Sequence, residues 1–79
     1  MRSGKIKVQV RKGDLARSLD ISIPTISFYT KLGLFKTSGK TEGGFLYDIE
    51  EIRERFEKIK QLKKQGFVLK QIKKKLDSE

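Results

Sequence analysis

Twelve residues constrain the fold of this chain more than any others: Ala16-Arg17-Ser18-Leu19-Asp20-Ile21-Ser22-Ile23-Pro24-Thr25-Ile26-Ser27. Leu15, Ala16 and Leu19 recur at helical spacing, which predicts a first helix over about 13–19 with Asp14 at its positive end. Ser22 is a capping hydroxyl, and Pro24 and Thr25 suit the first turn of a second helix. Asp20 falls where the backbone often turns left-handed, a conformation that Asp tolerates better than most residues. A small residue at Ala16 and apolar residues at Ile21 and Ile26 let the two helices pack steeply. Helices joined in this way leave the second one standing proud of the body, where it fits a DNA major groove.

That second helix spans about 23–32 and stops at Gly33. Ile23, Ile26 and either Tyr29 or Leu32 are expected to point inward, leaving Thr25, Ser27, Phe28 and Lys31 outside. From 35 to 47 the helical period disappears. The polar, glycine-rich run 36–44 is flanked by Leu34-Phe35 and Phe45-Leu46-Tyr47, which predicts two short strands joined by a flexible loop, a wing. Asp48 and Glu51 have the spacing of a capping box, and Ile49, Ile52, Phe56, Ile59 and Leu62 give a helix over 49–65 one apolar stripe. Gly66 ends it. Phe67, Leu69, Ile72 and Leu76 form the inner side of a fourth helix over 69–76. Ahead of everything, Lys5 to Val10 alternates polar and apolar residues, as a short half-buried strand or a basic arm would.

Seventy-nine residues suffice for one small domain, read as a basic arm or strand over 1–12 and a folded unit over 13–76. The formal net charge is +9, and its placement is uneven. Residues 1–12 hold five bases and no acid, 13–48 balance four bases with four acids, and 49–79 carry ten bases against six acids. Eight bases and no acid lie between Lys58 and Lys75. Such a surface favours a polyanion, of which nucleic acid is the commonest, although a lysine-rich solvated surface has the same composition. With no Cys and no His, disulfides, zinc sites and imidazole catalysis are excluded, and neither an enzyme nor a cofactor is expected. No apolar run approaches the ~20 residues a bilayer-crossing helix needs, and no signal peptide follows Met1, so no membrane partner and a cytoplasmic location are expected.

The blocks Gly13-Asp14-Leu15-Ala16, Ile21 through Tyr29 and Gly33-Leu34-Phe35 then fall into a known order. With Thr41-Glu42-Gly43-Gly44-Phe45-Leu46-Tyr47, Asp48 through Ile52, Leu62 and Gly66 through Ile72, the chain resembles the DNA-binding domain of MerR-family regulators over about 12–76. The resemblance implies a winged helix-turn-helix, mainly helical with four helices and a small β wing. It also implies transcription regulation, with the second helix in the major groove and the wing on the phosphate backbone. Double-stranded DNA is the implied partner, with RNA polymerase or a second copy of the chain joining it there. The family's long dimerisation helix and effector domain have no counterpart after the fourth helix, so no small-molecule effector is expected for this chain.

Some residues depart from the family pattern. Ser27 stands where family members usually have Arg, and Gly44-Phe45-Leu46-Tyr47 lacks the usual wing Arg. Phe28 replaces a frequent Tyr, and Thr30 replaces a usual acid. Two absent guanidiniums are two absent bidentate phosphate grips. Affinity is therefore expected to have moved outward, to Arg2, Lys5, Lys7, Arg11 and Lys12, to Lys36 and Lys40, and to the basic C-terminal helices. The candidate contacts are Thr25, Ser27 and Lys31 toward bases, Phe28, if exposed rather than drawn into the core, toward a thymine methyl or sugar edge, and Arg17, Tyr29, Lys36, Lys40 and Tyr47 toward phosphate. Tyr29 and Tyr47 are equally readable as half-buried core aromatics whose hydroxyls reach the surface. Two other readings stay open: a small excisionase-like protein that bends DNA, and a protein-interaction module that has lost DNA binding.

Overall fold

The computed structural model describes residues 8–78. Their elements run β1 (Gln9–Val10), α1 (Lys12–Leu19), α2 (Ile23–Lys31), β2 (Gly39–Thr41), β3 (Gly44–Asp48), α3 (Ile49–Lys64) and α4 (Leu69–Asp77). The strands form one antiparallel sheet in the order β1-β3-β2. Four helices around this small sheet make the expected winged helix-turn-helix. Of the basic arm, Arg2, Lys5 and Lys7, together with Ile6, lie outside the described residues. Strand pairing is seen at Gln9↔Asp48 and Val10↔Tyr47, and Val8 accepts the Ile49 N–H at 3.0 Å although its own side chain is exposed.

The helix ends follow from a few capping residues. Ser22 Oγ accepts the Thr25 N–H at 3.2 Å, with Pro24 in the first turn, and so starts α2 as its sequence implies. Asp48 Oδ1 accepts the N–H groups of Glu50 and Glu51, both at 3.1 Å. Asp48 thus supplies one half of the expected capping box. The matching return bond occurs instead on α4, where Gln71 Oε1 accepts the Val68 N–H. At their C-terminal ends α1, α2 and α3 all close with the same pair of bonds. The residue with positive φ (Asp20 at 57°, Gly33 at 85°, Gly66 at 103°) donates to the carbonyl three back, and its successor to the carbonyl five back. Asp20 takes the left-handed conformation foreseen for it without the benefit of a missing Cβ.

Leu15, Ala16, Ile26, Tyr29, Leu34, Phe35, Tyr47, Ile52, Ile59, Ile72 and Leu76 form the buried core, with Leu19, Ile21, Ile49, Phe56, Leu62, Phe67 and Leu69 packed around it. The stripes of α3 and α4 are therefore as expected. Two expectations need correction. Ile23 is 48% exposed rather than inward. A three-residue step falls short of the 3.6-residue turn, which rotates Ile23 about 60° away from Ile26 at the open end of α2. Of the two options for the last inward position, Tyr29 is buried and Leu32 is exposed.

The wing also begins later than its apolar flank suggests. Leu34 and Phe35 are core residues, not strand, because they follow the Gly33 turn and donate their N–H groups to Tyr29 O. Phe35 then sits edge-on to Tyr29 (5.2 Å) and Phe56 (6.1 Å), which ties the base of the wing to α2 and α3. Pairing starts within the polar stretch, at Gly39↔Leu46, and the loop is only Glu42-Gly43 between the paired Thr41 and Gly44. The flexible loop expected between the two strands is thus a tight turn.

Candidate nucleic-acid interface

The outward side of α2 is where a groove-reading surface is expected. Phe28 is 51% exposed, Lys31 is exposed, and Thr25 and Ser27 are half-buried. Thr25 Oγ1 lies 2.7 Å from Ser22 Oγ, so these hydroxyls share a hydrogen bond across the capping turn. Ser27 Oγ accepts a hydrogen bond from Lys12 Nζ at 3.2 Å. A cation from the start of α1 therefore rests on the side of α2 at Ser27. Beyond Phe28, a shallow groove is lined by Phe28, Leu32, Leu69, Lys70 and Lys73, which sets the first turns of α4 beside the end of α2.

The two tyrosines expected to reach phosphate are drawn inward. Tyr29 is 7% exposed with its ring against Phe35, and Tyr47 is 1% exposed. The Tyr47 hydroxyl lies 2.8 Å from Thr30 Oγ1, which also donates to Ile26 O at 2.7 Å. Tyr47 thus joins β3 to α2 instead of presenting its hydroxyl to a ligand. The space between sheet and helix is filled by a large ring, and a buried hydroxyl there needs a partner. Thr30, which in the sequence stands out only as a departure from the family pattern, is that partner.

The expected phosphate cations are also redistributed. Arg17 is largely exposed but ion-paired with Asp14 one turn away on α1. Lys40 lies on β2 opposite Phe45, with Nζ 5.6 Å from the ring centroid, so it stays on the hairpin. Lys36 precedes β2 and sits at the base of the wing, where its charge acts on Asp77 at the end of α4. The hydrogen bond from Lys73 Nζ (2.7 Å) holds the Asp77 carboxyl below the ordinary carboxylate range. Desolvation opposes this bond less strongly than the bond acts, and the Lys73 charge, Arg55 and Lys36 add smaller effects in the lowering direction. Arg55 also donates from Nε to Leu34 O, so it braces the loop leading into the wing. Arg53 donates to Ser18 Oγ at 2.7 Å and links α3 to α1.

One cation is seated differently. An idealised Cβ placed on Gly43 would come within 2.5–2.7 Å of the Arg11 guanidinium, so that group lies directly over the hairpin turn. Sequence reasoning assigns Arg11 and Lys12 to a diffuse basic arm. Their separate seats on the wing and on α2 follow from the β1–β3 pairing, which no local pattern announces. Among the described residues no cluster of acids is disposed to hold a metal ion, and no helix is long and apolar enough to cross a membrane.

Comparison with known proteins agrees with this architecture. Residues 10–79 match the model of the MerR HTH family regulatory proteins. Nodulation protein NolA of Bradyrhizobium sp. (strain NC92) is 35% identical over 68 residues, a match covering 85% of this chain and 28% of that protein. A MerR-family transcriptional regulator from Bacillus cereus superposes with a TM-score of 0.71 at 27% identity, over 87% of this chain and 52% of the other. The chain therefore spans about a quarter of the length of the curated relative it matches, and about half of the solved one. Capped helix pair, glycine-turned hairpin, long basic helix and family match converge on one conclusion: this chain belongs to the MerR helix-turn-helix family of regulatory proteins, which are not enzymes.

Proposed function

We propose that this chain binds double-stranded DNA as a transcription regulator, with α2 in the major groove and the β2–β3 hairpin along the phosphate backbone. The observation that carries the reading is the open outer side of α2. Phe28 and Lys31 remain exposed, Phe28 at the edge of the groove it shares with α4, on a helix buttressed from behind by Ile26 and Tyr29. In this arrangement Thr25, Ser27 and Lys31 face base edges, and Phe28 meets a thymine methyl or a sugar edge. Lys40 and Arg17 grip phosphate, Arg17 after exchanging Asp14 for the backbone. Lys36 contributes from the wing base, and Tyr29 and Tyr47 fix the angle between helix and hairpin. A single module of this size buries about 600–1,000 Å² of protein surface on DNA, so useful specificity calls for a second copy or RNA polymerase on the same duplex.

Selection of bound duplexes from a random pool, followed by gel-shift titration at about 50 mM salt, tests this reading. One enriched motif is the expected result, and its repeat symmetry reports how copies assemble. Absence of any shift, despite the +9 charge, would overturn it in favour of a protein partner. Strong bending of every bound duplex without a selected motif would instead identify an architectural protein.

A further inference from the structure

The two guanidiniums absent from the recognition helix and the wing leave a question about how a neutral reading surface holds a polyanion. Residues 13–48, which include α2 and the hairpin, carry no net charge. Arg11 and Lys12 lie between these two elements. Val10 pairs with Tyr47 of β3, Arg11 is the N-cap residue of α1, and Arg11 O accepts the Leu15 N–H at 2.9 Å. The backbone of the pair is thus anchored to the sheet on one side and to a helix on the other. From that corner the side chains diverge, Arg11 over Gly43 at the hairpin turn and Lys12 onto Ser27 of α2.

We infer that Arg11 and Lys12 form a two-point phosphate clamp, adding one cation each to a hairpin and an α2 helix whose own cations are Lys40 and Lys31. Such a clamp rests on the DNA binding proposed above and adds a site to it. Arg11 is in no ion pair among the described residues, unlike Arg17 and Arg55, although Asp14 lies three residues away. Its planar fork is therefore available to two oxygens of one phosphodiester. Lys12 uses one of its three ammonium protons on Ser27 and keeps two for an anion. Gly43 takes part through what it lacks. Its φ lies outside the left-handed range, so glycine is not demanded by the backbone; the missing Cβ is what makes room for the guanidinium. A clamp built this way also couples the hairpin to α2, because both its arms leave one dipeptide.

The charge-neutral variant Gly43→Ala tests the clamp without altering the net charge. The full chain and its variants Arg11→Ala, Arg11→Lys, Gly43→Ala, Arg11→Ala/Gly43→Ala and Lys12→Ala are titrated with a random-sequence duplex at several salt concentrations. Lys64→Ala, on the exposed end of α3, reports what one charge of the basic C-terminal helices contributes. Circular dichroism verifies folding. Arg11→Ala and Lys12→Ala are each expected to flatten the slope of log affinity against log salt by about 0.9, the value for one phosphate contact. Gly43→Ala should weaken binding several-fold and add nothing to Arg11→Ala in the double variant. Arg11→Lys, which keeps the charge and loses the fork, should fall between wild type and Arg11→Ala.

Wild-type affinity in folded Gly43→Ala, or in Arg11→Lys, would overturn the clamp while leaving DNA binding intact. Failure of the wild-type chain to bind any duplex would instead remove the DNA-binding reading itself, and the clamp with it.

Discussion

Helices α2 and α4 are each nine residues long and each buries two core side chains, Ile26 and Tyr29 in one and Ile72 and Leu76 in the other. Their outer faces have little in common. Lys31 is the single charge on α2, whereas α4 carries Lys70, Lys73, Lys74, Lys75 and Asp77. The helix proposed to enter a groove is nearly neutral, and the lysine-rich helix lies beside it across the Phe28–Leu32–Leu69 groove. Shape and attraction are thus divided between two regions. Short-range base reading depends on fit and hydrogen-bond geometry, whereas attraction to a polyanion acts across a Debye length and tolerates distance. A protein with this division is expected to approach all duplexes readily and to discriminate among them by a small set of contacts.

Removing the charge of α4 tests the division most severely. The variant Lys70→Gln/Lys74→Gln/Lys75→Gln is expected to weaken binding to every duplex alike, flattening the salt slope by up to about 0.9 for each phosphate left without its lysine. A salt-titrated binding series that keeps the wild-type slope would show that α4 plays no electrostatic part. Tyr47→Phe sharpens the other side of the comparison. Loss of the Thr30 bond should cost about 1 kcal/mol in urea unfolding while the salt slope stays constant. A lower slope would return Tyr47 to the phosphate contacts.

The turn that aims α2 is expected to respond more gently. Asp20→Gly relieves a left-handed backbone at a residue with a Cβ, and should raise stability by about 0.5–1 kcal/mol in the same assay. Destabilisation would mean that the Asp20 carboxylate itself organises the turn. The smallest effect belongs to Asp77→Asn. A carboxyl held below its ordinary value of 3.8 stabilises the fold above that pH and ceases to do so as pH falls through the folded-state value. Thermal melts near neutrality and near about pH 3 should therefore show a shallower acid decline in Asp77→Asn than in the wild type. Equal declines would place the acid sensitivity elsewhere than at the Lys73–Asp77–Arg55 cluster.

Local chemistry made most of the fold legible. Ser22, Asp48, Gly33 and Gly66 act within a few residues of themselves, so their roles at helix ends are readable without knowing what packs against them. The stripes of α3 and α4 are equally readable, because burial there follows the helical period. Ile23 shows where that reasoning fails: the residue type is right for a core, but the end of a helix has nothing beyond it to bury against. Leu34-Phe35 fails differently. Two large apolar residues next to a glycine-rich run suit a strand as well as a core plug, and only the Gly33 turn directs them inward.

The candidate site was legible as a face but not as a set of contacts. Thr25, Ser27, Phe28 and Lys31 are placed on the outside of α2 by their period alone. The inward turn of Tyr47, the service of Thr30 as its partner and the reach of Arg11 to Gly43 join positions far apart in the chain.

The amino-acid order by itself determined that this chain makes a capped helix pair, a glycine-turned hairpin and two further helices, and that its cations are kept largely out of the middle third. Tertiary structure decided which side chains those cations serve and which aromatics are spent on the core. The reason is one of range. Caps, turns and periodicity are settled between near neighbours, whereas a guanidinium finds its seat only after β1 has paired with β3 and brought the start of α1 against the wing.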